Sequence, residues 1–202
     1  MKLFYATGNA SKIYTMRRRL AGLPVELITP QDLGVYLDVV EDGKTPDENA
    51  LKKAQAYYDV LHIPTVAGDS AFYIEGLPEN EQPGLQVRRV NGQNLTDDEM
   101  IAHYSTIAAR MGGKVPAWYV TGLALVTDEG AFTVLIEDDH ILLTDTVDTE
   151  HPHNGDPIGA LSLRPAGDKR ITTLTDAESL ALGKTFEEGC MAFLREHLLN
   201  NL

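Results

Sequence analysis

The feature that most constrains this chain is an alternation within its first 75 residues. Apolar runs at 3–6, 25–28 and 65–67 read as short strands, and the segments between them open on helix-capping residues. Thr7-Gly8-Asn9 breaks the first run, and residues 10–20 follow as a helix with Asn9 or Ser11 near its cap. Thr45-Pro46-Asp47-Glu48 combines an N-cap, a proline at the first helical position and a capping-box glutamate, which predicts a helix over 46–61. The intervening residues 31–44 are acidic and turn-rich. Strands interleaved with helices in this way predict an α/β fold.

The later half changes character. Thr96-Asp97-Asp98-Glu99 is a second capping box and opens a helix to about Arg110. Residues 118–127, 131–136 and 140–144 are rich in β-branched and aromatic types, with Asp128-Glu129-Gly130 as the turn of an antiparallel hairpin. Thr185-Phe186-Glu187-Glu188 opens a last helix that ends near Leu199. No internal repeat and no Pro/Gly/Ser-rich linker divides residues 1–202, so a single mixed α/β domain is expected.

Composition narrows the function. A net charge of -13 argues against nucleic acid as the main partner, because backbone binding needs clustered Lys and Arg. No run reaches the length of a membrane span, and the start, MKLFYATGN, lacks the apolar core and cleavage site of a signal peptide. The single cysteine, Cys190, fits a reducing cytoplasm and reads as a buried structural thiol.

Three stretches could carry chemistry. "ATGNASK" (6–12) ends a strand in a small turn and starts a helix, whose free amides favour an anion, with Lys12 one turn in. "TPDENALKKA" (45–54) places Glu48 and Asn49 in a first helical turn and Lys52 and Lys53 a turn later; Glu48 is either a cap or, facing a site, a metal ligand. In "VAGDSAFYIEGL" (66–77), Gly68 lets the chain turn. Asp69 there is either the first residue of that turn or a carboxylate at a strand's end, suited to activating water or sharing a divalent cation. "HPH" (151–153) with Asp156 reads as a solvated loop rather than a transition-metal site.

Taken in order, "TGNASK", "EDGKTPDENALKKA", "AGDSAF" and "PGLQVRRVNG" resemble successive motifs of the inosine triphosphate pyrophosphatases. The family patterns are T-G-N-x-x-K, E-x-G-x-T-F-x-E-N-A-x-x-K-A, A-D-D-S-G-L and P-G-x-x-S-A-R. The resemblance covers about residues 1–110. It implies a long twisted mixed sheet flanked by helices in two lobes, with a nucleotide cleft between them, and a homodimer. It also implies hydrolysis of a nucleoside triphosphate to the monophosphate and pyrophosphate with Mg²⁺, or Mn²⁺ in its place.

Carried across by position, Thr7, Gly8, Asn9 and Lys12 would hold the triphosphate, and Lys53 would also contact phosphate. Glu41 and Asp69 match the acidic positions nearest the metal, with Glu48 as a further candidate; Asp69 is the general base and Ser70 lies beside the nucleotide. Arg89 remains in register with the arginine of S-A-R, and Asp156 with the aspartate of the family's G-F-G-Y-D-P segment.

The departures are specific. The paired aspartates become Gly68-Asp69, and the serine and alanine before Arg89 become Val87 and Arg88. "HNGDPIG" (153–159) has Gly155 where the family has the aromatic residue that stacks on the purine, and the closing S-H-R motif is missing, with Lys184 the only cation in the nearest stretch. The phosphate and metal groups are retained whereas the base-reading groups are lost, so altered base specificity is expected. The alternative is a non-catalytic nucleotide-binding homologue that keeps the fold.

Overall fold

Residues Lys2–Tyr5 form strand β1, buried on both faces: Leu3 and Tyr5 enter one apolar cluster, Phe4 with Ala6 another. Two-sided burial is why this strand reads as an unbroken apolar run rather than an alternating one. The structure is a computed structural model that describes residues 1–151 and 155–199.

Helix α1 (Ala10–Arg19) starts at Asn9, whose Oδ1 accepts the Lys12 amide at 3.1 Å. Strand β2 (Glu26–Ile28) then pairs parallel with β1. The stretch expected to hold only turns contains a short helix, α2 (Pro30–Leu33), where the amide and hydroxyl of Thr29 donate to Asp32 at 2.9 and 2.7 Å. Helix α3 (Pro46–Leu61) has the expected limits. Its expected capping box is not formed: Thr45 makes no side-chain cap, and Glu48 Oε2 accepts the Lys44 amide instead, at 2.7 Å.

Strand β3 (Thr65–Ile74) corrects the expected turn at Gly68, because the strand runs through Gly68, Asp69 and Ser70 without a break and Asp69 is mid-strand. Gly68 lacks a side chain for reasons of space rather than of turning: a Cβ there would lie 3.1 Å from Leu123 Cδ2. Strands β4 (Arg89–Val90) and β5 (Gln93–Asn94) form a hairpin absent from the sequence reading. Its turn, Asn91-Gly92, has φ of 50° and 81°, the positive values an Asn-Gly hairpin turn requires.

Helix α4 (Asp97–Arg110) carries the expected capping box, with Thr96 Oγ1 accepting the Glu99 amide at 3.3 Å. Strands β6 (Lys114–Thr127), β7 (Gly130–Glu137) and β8 (Ile141–Thr144) match the predicted run, and β9 (Ser162–Leu163) adds to them. Helix α5 (Asp176–Leu182) was missed, although Thr175 and Glu178 form a capping box. Helix α6 (Lys184–Leu194) continues as a π-helical turn over Arg195–Leu199. It begins one residue before Thr185, so Thr185 is not its cap; the Thr185 amide and hydroxyl donate to Asp139, at 3.1 and 2.7 Å.

Seven strands make one mixed sheet in the order β2-β1-β3-β6-β8-β9, with β7 paired to β6. Strand β1 is parallel to β2 and β3, whereas β8 is antiparallel to β6 and β9.

The chain divides into two compact units. The first holds Met1–Ser70, Val120–Ile136 and the stretch from Phe186 onward; the second holds Ala71–Tyr119 and Glu137–Thr185. In the first, one sheet face packs Leu3, Val66, Leu123 and Leu125 against Met16 of α1 and Phe193 and Leu194 of α6. The other face carries Ala67, Ala124 and Val126 against Ala50, Ala54 and Tyr57 of α3. The small residues let α3 approach closely. At Gly122 the approach is extreme, since a Cβ would lie 2.1 Å from the Asp47 amide nitrogen. In the second unit, α4 covers Phe72, Ile74, Val115 and Leu143. Among the described residues no helix is long and apolar enough to cross a membrane.

Candidate active site

Strand alternation sorts the residues around Asp69. Val66 packs toward α1 and α6 and Ala67 toward α3, so Gly68 and Ser70 share the first face and Asp69 the second. On the second face the first turn of α3, held against Gly122, brings buried Asn49 to Asp69: Nδ2 donates to Asp69 Oδ2 at 2.9 Å. The Asn49 Oδ1 accepts the Gly43 amide at 2.7 Å. Gly43 has to be a glycine for this, because a Cβ would come within 2.6 Å of that same oxygen.

Four residues downstream on α3, on the same helix face, Lys53 Nζ pairs with Glu41 Oε2 at 2.9 Å, and Lys52 pairs with Asp42. Lys12, from α1, joins this group electrostatically. Burial pushes its ammonium below the usual lysine range, the carboxylates of Asp69 and Glu41 work against that, and Lys53 adds to it. Lys12 thus feels the charges of Asp69, Lys53 and Glu41, the last two of which pair with each other.

The turn before α1 is organised by its own side chains. Thr7 Oγ1 accepts the Asn9 amide at 3.2 Å and Asn9 caps the helix, leaving Gly8 and Asn9 exposed at the helix start. Ser70 Oγ lies 3.0 Å from Thr121 Oγ1 on the neighbouring strand.

Other expected residues lie elsewhere. The carboxylate of Glu48 accepts the Lys44 amide. Arg89 and Asp156 belong to the second unit. There, Arg89 Nε donates to Asn94 Oδ1 at 3.3 Å, and Asp156 Oδ1 accepts the Gly159 amide at 3.0 Å. His151 rests against Asp148 at 3.1 Å, while Pro152 and His153 of the HPH reading, with Asn154 of "HNGDPIG", lie outside the described residues. Cys190 is buried, as expected, and burial raises its thiol pKa to about 11.

Asn49 and Thr121 are the partners that sequence reasoning did not commit to. Asn49 had a signal, its place in the E-N-A motif of a capped helix. Thr121 had none, since only strand pairing brings it to Ser70.

Comparison with known proteins decides the relationship. The model of the Ham1 family matches residues 3–140. The chain belongs to the Ham1 family. That match takes in Thr7 to Lys12, Glu41, Glu48, Asn49, Lys53, Asp69, Ser70, Thr121 and also Arg89, and it stops before Asp156.

Among individual relatives, the dITP/XTP pyrophosphatase of Geobacter sulfurreducens is 36% identical over 97 residues, 48% of each chain. The dITP/XTP pyrophosphatase of Caldanaerobacter subterraneus is 31% identical over 166 residues, 78% of each chain. Against the first of these, the aligned part spans about half the length of the curated relative. Two solved structures share the Ham1 fold. A HAM1 protein from Coxiella burnetii has a TM-score of 0.76 at 23% identity, covering 97% of this chain and 99% of that one. A nucleoside-triphosphatase, dITP/XTP pyrophosphatase, from Mycobacterium abscessus has a TM-score of 0.66 at 26% identity, covering 96% of this chain and 99% of that one.

Proposed function

We propose that this Ham1-family chain hydrolyses nucleoside triphosphates to the monophosphate and pyrophosphate. The observation that carries the reading is the charged group of Lys12, Glu41, Lys53 and Asp69, with Asp69 oriented by the buried amide of Asn49. Two ammonium groups beside an exposed helix start suit a triphosphate, and a fixed carboxylate suits the delivery of water. In this scheme Asp69 accepts a proton from the water that attacks the α-phosphorus, the α–β bridging bond breaks, and pyrophosphate leaves while Lys12 and Lys53 hold its oxygens. Thr7, Gly8, Asn9 and Ser70 line the nucleotide.

A divalent cation of the magnesium type fits the donors. Asp69 and Glu41 offer one carboxylate each, and such an ion draws the rest of its shell from water and phosphate oxygens. When bound, the ion offsets triphosphate charge; manganese would use the same donors. Glu48 is the weaker candidate ligand because its carboxylate is committed to the Lys44 amide.

Base preference is the part of the reading that departs from the relatives' names. Gly155 offers no ring for a base to stack on, and Asp156 is engaged by the Gly159 amide. We therefore expect weaker discrimination among bases. A homodimer in the cytoplasm, with no nucleic-acid partner, completes the proposal; the net charge of -13 supports its last element.

The test is pyrophosphate release from inosine, xanthosine and the four common nucleoside triphosphates, with and without Mg²⁺. Asp69→Asn should lower turnover on the order of a hundredfold or more. Full turnover in that variant would overturn the mechanism.

A further inference from the structure

Arg89 is unused by the chemistry proposed above. It lines a cleft of about 460 Å³ whose walls all belong to the second unit: residues 80–83, the β4–β5 hairpin with the stretch before it, and one face of α4. That volume falls within the roughly 300–1,000 Å³ of small-molecule pockets.

We propose that this cleft binds a small phosphomonoester, its phosphate held by the guanidinium groups of Arg89 and Arg110 and its polar body by the side-chain amides of Gln86 and Asn91.

Charge is the first support. The chain has 30 acidic residues against 17 lysines and arginines, yet this lining sets two arginines and a histidine against one carboxylate, that of Glu81. Arg110 pairs with Glu81, but its field still acts at the cleft wall: burial and then the Arg110 charge push the His103 imidazole below its usual pKa. Arg89 Nε donates to Asn94 Oδ1 at 3.3 Å, a neutral acceptor that leaves the guanidinium's charge in place.

The walls are also held without a ligand. The Gln82 side chain donates to the Ile74 and Leu77 carbonyls, at 2.7 and 2.9 Å, and accepts the Ile74 amide at 2.9 Å. Buried Tyr104 donates its hydroxyl to the Val87 carbonyl at 2.7 Å, which ties the stretch before β4 to α4. A ligand entering such a cleft has little backbone to order. The donors then select the anion. One guanidinium fork takes two oxygens, so a carboxylate saturates a single arginine, whereas the three terminal oxygens of a phosphomonoester serve both.

The cleft shares no residue with the charged group of the first unit, so its test is separate from that of the proposed activity. Ribose 5-phosphate is titrated calorimetrically into the full chain and into Lys12→Met, Arg89→Met, Arg110→Met and Glu81→Gln. Millimolar or tighter binding is expected for the unchanged protein and for Lys12→Met. Binding should weaken about tenfold or more in Arg89→Met and in Arg110→Met, and tighten severalfold in Glu81→Gln, which lacks the competing carboxylate. Arg89, Arg110 and Glu81 are exposed, so the fold should survive each change. In the same titration followed by NMR, the His103 imidazole resonances should move with the calorimetric midpoint, which places the ligand in this cleft. The proposal would be overturned by no binding at millimolar concentration, by loss of binding in Lys12→Met, or by unchanged affinity in Arg89→Met and Arg110→Met. Unmoved His103 resonances, or succinate binding as tightly as ribose 5-phosphate, would overturn it equally.

Discussion

The amide of Asn49 joins two parts of the chain at once, donating to Asp69 at 2.9 Å and accepting from Gly43 at 2.7 Å. A buried side chain with both ends engaged is a rigid support for the carboxylate it holds. Asn49→Ala should lower turnover about tenfold or more while nucleotide affinity changes little. The lost bonds should also lower stability by about 1–3 kcal/mol. Steady-state kinetics and thermal unfolding of the same preparation check both, and unchanged kcat would remove Asn49 from the mechanism.

Gly122 is the second test of how the site is held. A methyl group there would overlap the backbone at Asp47, 2.1 Å away, and backbone cannot swing aside as a side chain does. Gly122→Ala is expected to displace the start of α3, lowering the unfolding temperature by several degrees and activity with it. Differential scanning calorimetry alongside pyrophosphate release measures the two together.

Lys12 should trade stability for function. Its folded pKa lies below the ordinary 10.5, chiefly through burial, so the protonated amine opposes folding near neutral pH. That penalty fades as pH rises through the folded value toward 10.5. Lys12→Met is therefore expected to melt higher than the unchanged protein at pH 7, with the gap closing in alkaline buffer, while turnover falls on the order of a hundredfold. Melting curves across pH decide the sign.

Glu178 gives a test at the acid end. Its bond from Lys169, then those from the Thr175 amide and hydroxyl, hold its carboxyl at about 2, against an ordinary 4.5. A depressed carboxyl contributes stability that is complete above the unfolded value and is lost as pH falls through the folded one. Glu178→Gln should thus melt lower than the unchanged protein above pH 4.5, and the difference should vanish as pH approaches 2. A difference that stays constant over that range would contradict the assignment.

What was legible in the sequence followed from local rules. Helices α3 and α4 have limits close to those expected because each opens on a clear capping signal and runs for several turns. The short α2 and α5 have caps of the same kind, Thr29 with Asp32 and Thr175 with Glu178, but too few turns to display an apolar stripe. Gly68 misled because a glycine required by a neighbouring side chain looks, in sequence, like one required by a turn. For the candidate site, Lys12, Glu41, Lys53 and Asp69 were named by register with the family motifs, and Asp69 was given the wrong backbone setting. Thr121 was invisible, since pairing across the sheet decides what it faces.

The seating of α3 on Gly122 also sets an order of events during synthesis. The motifs from Thr7 to Ser70 leave the ribosome first, but the surface that fixes the start of α3 arrives only with residues 120–136. A nascent chain halted near residue 110 would carry almost every motif of the family and still lack a positioned Asp69–Asn49 pair. Catalytic competence is therefore expected to switch on late in translation, well after its chemistry has been spelled out.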